Sequence, residues 1–311
     1  MTPETGSSSV GHPQGAPGLR LNTCTATEPQ RRFEVDPALS GLSFLRVLRS
    51  ELQKLVWLRA TWWLGASALV LVLLFAWMSG ASLNSMISWQ QEDPGAGLPE
   101  AALRDMALET PLTGLYFAVI LLGCIGVIAI TSEHASGSVR SSLSAVPRRV
   151  VLYTAKALAT AVVLGVLAAL MIAGILAVAL PFAATHGLTP DFTATETWHR
   201  LITHWAGVVL AGLVGFGLGA ILRSTAGGIV TLAILLFVLP MAMEILVSVT
   251  EESELVMTLY RWQFANLMSS FTVPGPAPRE GIGSFAAGVG MGAWTAAVTV
   301  TGGLLFRRRD A

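Results

Sequence analysis

The chain has 311 residues, of which 53% are hydrophobic and 12% are charged, and its formal net charge is zero. Soluble globular domains carry about 25% charged residues, so this composition argues against a soluble protein and predicts an integral membrane protein. The cysteines, Cys24 in a polar stretch and Cys124 in an apolar run, predict neither a disulfide framework nor a metal site.

The first segment, residues 1–41, is rich in Gly, Pro, Ser and Thr. Such a composition offers too little apolar surface to bury, so we expect a disordered cytoplasmic tail. The segment also lacks the apolar core of a cleavable signal peptide, and we therefore expect none.

Residues 42–60 predict an amphipathic helix that lies in the inner interface of the membrane. Its leucines recur at helical spacing and would form one apolar face: Leu45, Leu48, Leu52 and Leu55. The basic residues fall largely on other faces: Arg46, Arg49, Lys54 and Arg59. An apolar face opposite basic residues is typical of a helix at the membrane surface.

Six apolar runs follow, each long enough to cross a bilayer, which takes about 20 residues. We predict spans at residues ~61–80, ~112–130, ~151–182, ~204–222, ~229–248 and ~284–306. Of the 19 Lys and Arg residues, only Arg104, Arg200, Arg261 and Arg279 fall on the predicted outer side. Because positively charged loops stay inside, both termini should be cytoplasmic. The predicted fold class is all-α, a polytopic membrane protein with six transmembrane helices.

Small residues recur at every fourth position in the fourth and sixth spans and predict faces for close helix packing. The stripe in span four is Gly207, Ala211, Gly215 and Gly219. The stripe in span six is Ser284, Gly288, Gly292 and Ala296.

Span five contains Pro240 and Glu244. The proline should kink or locally loosen the helix. An ionisable group inside a span is costly, so Glu244 is a functional candidate, and we expect it to face the bundle or an external vestibule. The alternative is a position close enough to the outer interface for Glu244 to be hydrated.

The polar segment of residues 131–149 lies between spans two and three and carries Arg140, Arg148 and Arg149. Its residues occur in the order Glu133, Gly137, Ser138, Val139, Arg140, Leu143, Pro147 and Arg148. This order fits the pattern E-x-x-x-G-[TS]-[IV]-R-x-x-L, followed closely by P and a basic residue. The segment thereby resembles the cytoplasmic loop of ABC-2 type transporter permeases, which also lies between spans two and three.

The resemblance implies roles for several segments. In the family this loop is the coupling helix that docks onto the ATP-binding subunit, and the docking residues would be Glu133, Gly137, Ser138, Arg140, Leu143, Pro147 and Arg148. The stretch R-S-E-L-Q-K-L resembles the elbow helix before the first span, where Glu51 and Lys54 would lie near the ATPase. Residues 61–309 would form the six-span ABC-2 type transmembrane domain. Residues 250–283 resemble its short helices that dip into the outer leaflet, with an interfacial surface helix as the alternative.

The chain contains no G-x-x-x-x-G-K-[ST] motif, so we expect no ATPase activity in it. We expect no cofactor in this chain either; ATP and Mg would be bound by the partner subunit. His186, His199 and His204 have separations that match no compact metal-ligand motif, and we expect surface histidines.

Together these features predict the permease subunit of an ATP-driven ABC exporter in a bacterial plasma membrane. The expected partners are an ABC ATP-binding subunit, a second copy of the permease or a homologous permease, and membrane lipids, with no nucleic acid. The cargo would be an amphipathic small molecule, lipid, drug or peptide. One alternative is a non-transporting membrane anchor or sensor module that binds a cytoplasmic partner. The other is a membrane-embedded enzyme, which would need clustered catalytic side chains at one membrane face.

Overall fold

The computed structural model describes residues 43–92, 97–136, 149–250, 253–272 and 282–309. The described residues are almost all helical, and no strand occurs among them. The predicted tail, residues 1–41, and residues 137–148 of the predicted coupling helix lie outside the described residues, so both remain predictions.

The helices follow one another along the chain without any other regular element between them in the described ranges. They are α1 (Phe44–Trp57), α2 (Arg59–Glu92), α3 (Glu100–Leu112), α4 (Gly114–Ser136), α5 (Arg149–Thr185), α6 (Thr195–Leu222), α7 (Thr225–Ala233), α8 (Leu239–Val249), α9 (Glu254–Trp262), α10 (Phe264–Thr272) and α11 (Ser284–Arg309), with a π-helical segment, Ile234–Val238, between α7 and α8. Within the described ranges, six stretches are long and apolar enough to cross a membrane: Arg59–Gln90, Glu100–Ser132, Arg149–Thr185, Thr195–Leu222, Thr225–Val249 and Ser284–Arg308. The all-helical class and the six candidate spans agree with the sequence prediction.

Several helices extend well beyond the apolar runs that predict them. α2 has 34 residues and α5 has 37. At 1.5 Å per residue these helices are about 50 and 55 Å long, against a hydrocarbon core of about 30 Å. Only Thr113 separates α3 from α4, so the connection predicted before span two is largely helical. The hydropathy of the sequence does not predict these additional helical turns, because their residues are polar and the spans are recognised by apolar runs.

The helices α4 and α6 form the centre of the bundle. The spans that contain them are 67% and 61% buried over their most apolar windows. A Cβ placed on Gly126 would lie 2.0 Å from the carbonyl oxygen of Gly212. A Cβ on Gly215 would lie 2.4 Å from the carbonyl oxygen of Gly123. The two backbones therefore touch, and only glycines at the crossing permit this approach.

The small-residue stripe predicted in span four lies along this crossing. Ala211 is completely buried, and a Cβ on Gly219 would lie 2.7 Å from the Ile130 side chain of α4. At the other end of the stripe, Gly207 faces α10, where its Cβ would lie 3.6 Å from Thr272. This face of α6 is thus shared between two neighbours within the same chain.

The stripe predicted in span six divides between two environments. The hydroxyl of Ser284 donates a hydrogen bond of 2.9 Å to the carbonyl oxygen of Phe271, and Gly288 faces the ring of the same residue. Further along, a Cβ on Gly292 would meet no described atom within 4 Å, and Ala296 is exposed. Only the first half of this stripe therefore packs within the described part of the chain.

α11 contacts α6 through a face that the every-fourth-residue spacing of its small residues does not indicate. A Cβ on Gly302 would lie 3.0 Å from the carbonyl oxygen of Gly217, and the hydroxyl of Thr295 donates to the carbonyl oxygen of Leu210 at 3.4 Å. Thr295 and Gly302, which pack against α6, lie on a different face of α11 from Gly292. This explains why Gly292 has no neighbour among the described residues.

Span five is loosened at its middle, as Pro240 predicts. The π-helical segment Ile234–Val238 comes directly before α8, in which Pro240 is the second residue. Because proline has no backbone N–H to donate, the regular i to i−4 bonding is interrupted and the helix widens there. Glu244, one turn later, lies on an exposed face. It does not face the bundle of its own chain, and the external vestibule remains a prediction.

The helices α9 and α10 lie between spans five and six, where the sequence predicts short helices. Phe264 and Leu267 of α10 are fully buried in a cluster with residues of α4, α6 and α11. Nε1 of Trp294 donates to the carbonyl oxygen of Trp262 at 3.0 Å, which fastens the end of α9 to α11. α10 therefore packs into the bundle, and its depth in the membrane remains a prediction.

Replacing Gly126 by alanine should destabilise the fold by roughly 1–3 kcal/mol, because the new Cβ collides with the backbone of α6. Gly292→Ala is the matched control, since its Cβ meets open space and alanine favours a helix by about 1 kcal/mol over glycine. Thermal unfolding of both variants in one detergent measures the difference. Equal stability would show that the α4–α6 crossing does not require glycine.

Candidate functional sites at the two ends of the bundle

Charge and packing distinguish the two ends of the bundle. The basic end comprises α1, the start of α5 and the ends of α4, α6 and α11, which share one apolar cluster. Its basic residues with described side chains are Arg46, Arg49, Lys54, Arg59, Arg149, Lys156, Arg223, Arg307 and Arg308. The acidic end comprises α3, the connection before α6 and the start of α6, with Glu100, Asp105, Glu109, Asp191 and Glu196.

The amphipathic helix α1 packs its apolar face against the base of α5. Val47 and Leu55 are buried in the same cluster as Ile130 at the end of α4 and Leu152 near the start of α5. Leu58 is extended, with φ −75° and ψ 114°, and separates α1 from α2. α1 is therefore an independent element held mainly by span three rather than a continuation of span one.

A buried ion pair joins α1 to α5. Oε2 of Glu51 lies 2.5 Å from Nζ of Lys156, and the two side chains are only 2% and 4% exposed. Oε1 of the same carboxylate lies 2.6 Å from Nζ of Lys54, whose side chain is about half exposed. Removing a charge from water is costly unless it is paired, so these two ammonium groups compensate the desolvation of Glu51.

This pairing gives Glu51 a role that the sequence does not reveal. Its side chain points inward and holds α1 against α5, whereas Lys54 keeps a partly exposed ammonium group. The resemblance places both residues near an ATPase, and that position remains a prediction. Glu51 and Lys156 are 105 residues apart in the sequence. The one sequence signal is the lysine inside an otherwise apolar run.

The predicted coupling segment leaves the bundle at this basic end. The structure describes the two helices that hold it, α4 ending at Ser136 and α5 beginning at Arg149. Both helix ends belong to the apolar cluster that contains α1. The side chains of the predicted docking residues lie outside the described part of the chain: Glu133, Gly137, Ser138, Arg140, Leu143, Pro147 and Arg148.

At the acidic end, Arg200 of α6 is buried among three carboxylates. Its Nη2 lies 2.8 Å from Glu196 and 3.4 Å from Asp105. Its Nη1 lies 3.5 Å from Glu109. Since Asp105 and Glu109 belong to α3, the guanidinium group ties α3 to the first turns of α6.

His204 extends this cluster one turn further into the bundle. Its side chain is 1% exposed, and Nδ1 donates to the carbonyl oxygen of Arg200 at 2.8 Å. Nε2 lies 3.5 Å from Oε1 of Glu109, a contact that attracts only when Nε2 or the carboxyl group of Glu109 carries a proton. The prediction of a surface histidine is therefore wrong for His204. His199 is exposed, and His186 is partly exposed.

An aromatic residue connects the cluster to α4 and α10. The ring of Tyr116 meets His204 edge-on, and its hydroxyl forms a hydrogen bond with the hydroxyl of Thr272. The sequence contained a usable signal for this site, because Glu196, Arg200 and His204 recur at every fourth position and so share a face of α6. The position of Glu109 opposite that face requires the tertiary structure.

Among the described residues, no group of three or more His, Cys, Asp or Glu side chains is arranged to hold a metal ion. The sequence matches no protein-family model and no curated protein. The features of this chain that bear on its function are the polar segment and the ion pair at one end and the arginine cluster at the other.

Lys156→Met should destabilise the protein by about 3 kcal/mol, because it leaves the buried carboxylate of Glu51 without its partner on α5. A Glu51→Leu, Lys156→Met double variant should recover most of this loss, since apolar residues of similar size often replace a buried ion pair at no cost. Lys54→Met should cost less than about 1 kcal/mol because its pair is partly exposed. Thermal unfolding compares these variants. A double variant no more stable than Lys156→Met would contradict the interpretation.

Arg200→Met should destabilise the acidic end by about 3 kcal/mol, because it removes the cation that compensates several neighbouring carboxylates. Arg104→Met is the matched control. Arg104 forms an ion pair with Glu100 at 2.7 Å, and both side chains are exposed, so its loss should cost less than about 1 kcal/mol. Limited proteolysis of the α3–α4 region together with thermal unfolding tests this difference. Similar effects of the two changes would refute a structural role for the Arg200 cluster.

Proposed function

We propose that this chain is the transmembrane permease subunit of an ABC-2 type ABC exporter. A separate ATP-binding subunit docks at the basic end and supplies the energy. The cargo is an amphipathic small molecule, lipid, drug or peptide. The observation that carries the proposal is the coupling-helix pattern of residues 133–148, which follows span two and precedes span three.

The attachment of α1 supports a coupling role for the basic end. The ion pair between Glu51 and Lys156 joins α1 to α5, and Leu55 and Leu152 belong to one apolar cluster between these helices. The coupling segment enters α5 directly at Arg149. A displacement applied to either α1 or the segment is therefore applied to the same long helix. Coupling further requires that the ATPase contact this end differently in its two states.

The span made by α7 and α8 supports the pairing of two permeases. Only 11% of its most apolar window is buried within the chain. Glu244 lies on the exposed side of α8, where direct contact with lipid would be costly. A second copy of the chain, or a homologous permease, at this face would enclose a hydrated space beside Glu244. That space is the external vestibule of the proposed pathway.

The charge distribution supports the orientation. We place the basic end, and with it both termini, in the cytoplasm of a bacterium, because basic residues are retained on the inner side of the plasma membrane. The acidic end, with Arg200 enclosed by carboxylates, then faces outward. In this orientation the docking segment is accessible to a cytoplasmic ATPase.

Purification of the chain from its native membranes, with detection of any ATP-binding protein that co-purifies, tests the proposal. The wild type should hold the ATPase, and an Arg140→Glu, Glu133→Lys double variant should lose it while remaining folded, because both charges at the docking surface are reversed. Arg104→Glu, which reverses a surface charge at the opposite end, is the matched control and should leave the complex intact.

ATPase activity of the purified complexes distinguishes a loss of docking from a loss of coupling between the ATPase and the permease. A double variant that keeps the complex but loses coupled activity would place docking on α1 instead. A folded wild type that binds no ATPase under conditions that preserve weak complexes would overturn the permease proposal. It would favour the alternative of a membrane anchor or sensor module.

A further inference from the structure

A groove at the basic end lies between the first turns of α5 and the last turns of α11. It encloses about 340 Å³, and Tyr153 and Gly303 are among its lining residues. The hydroxyl of Tyr153 already donates to the carbonyl oxygen of Thr299 at 2.7 Å, so this residue offers the groove mainly its ring. A Cβ on Gly303 would lie 2.9 Å from that ring, so glycine is needed at this position for the close packing beside the groove.

Two arginines belong to the lining of this groove, one on each helix. Nη1 of Arg149 donates to the carbonyl oxygen of Arg307 at 3.4 Å, which holds the two residues side by side. No described carboxylate lies within ion-pair distance of either guanidinium group. Arg149 is also the first residue of α5, so the positive end of that helix dipole adds to the same positive potential.

The rest of the lining is largely apolar and open to the side of the bundle. Val150, Val300 and Leu304 each line the groove and are more than half exposed. In a membrane, this arrangement places hydrocarbon-compatible walls next to a pair of cations. A molecule that matches it carries a negative charge at one end and an acyl chain at the other.

We propose that this groove binds an anionic phospholipid, with its phosphate against Arg149 and Arg307 and an acyl chain along Val150, Val300 and Leu304. Charge complementarity decides between lipid classes, because a zwitterionic headgroup brings its own cation next to two arginines that have no described carboxylate beside them. The proposal does not depend on the permease function, since it needs only that the basic end lie at a membrane surface.

A second groove, which has no charged lining residue, can be compared with the groove that contains Arg149 and Arg307. It encloses about 500 Å³ between α1, α2 and α5, and its lining includes Val56, Trp62 and Val166 but no charged residue. This groove is larger than the first, yet it has no cation to bind a phosphate. It should therefore accept acyl chains without selecting a headgroup.

Native mass spectrometry of the full chain tests the proposal. The protein is mixed with equal amounts of phosphatidylglycerol and phosphatidylcholine that carry the same acyl chains. The wild type should retain phosphatidylglycerol preferentially. Arg149→Gln and Arg307→Gln should each lower this preference roughly 5-fold, as expected for one basic residue at an anionic surface. Arg308→Gln, which removes a neighbouring charge outside the groove, is the matched control and should leave the preference unchanged.

Val300→Trp provides a second test that leaves the charge unchanged. The indole should obstruct the apolar part of the groove and reduce retention of phosphatidylglycerol, even though both arginines are intact. An unchanged preference in the Arg149→Gln, Arg307→Gln double variant would overturn the proposal and assign the preference to other basic residues. A wild type that retains neither lipid would also overturn it, in favour of a protein segment that covers the groove.

Discussion

The close crossing of α4 and α6 is the constraint on which the rest of the bundle depends. Lipid tails are as apolar as the helices, so burial alone gives little drive for association, and close packing must supply it. Gly126 meets the backbone of α6, and Gly215 meets the backbone of α4. The other spans pack around this pair, and residues of the same two helices belong to three of the apolar clusters among the described residues.

At each end of the bundle a buried charge is compensated by neighbouring charges of the opposite sign. At the basic end, the Glu51 carboxylate lies between two ammonium groups, those of Lys54 and Lys156. At the acidic end, the Arg200 guanidinium lies among carboxylates of α3 and α6. In each case a buried charge costs less when partners from a neighbouring helix compensate it, so the ion pairs also define which helices lie side by side.

Features that depend on local periodicity could be predicted from the sequence, and features that depend on distant contacts could not. Apolar runs predicted the six spans, and Pro240 predicted the loosened span five, because each signal is contained within a single helix. The partner of Lys156 and the burial of His204 depend on residues of other helices. The spacing of small residues identifies a helix face that can pack closely, but it does not show whether another helix lies against that face. No described atom lies within 4 Å of a Cβ on Gly292.

In the proposed permease, the element that receives the force and the element that pairs with a second subunit lie in different parts of the chain. α5 is joined to α1 and follows the predicted coupling segment, whereas the span of α7 and α8 is almost unburied and contains the π-helical segment. The packed pair of α4 and α6 contacts both regions. Because a glycine crossing of two backbones resists deformation, we infer that movement of α5 reaches span five as a displacement of helices about this core rather than as a change within it.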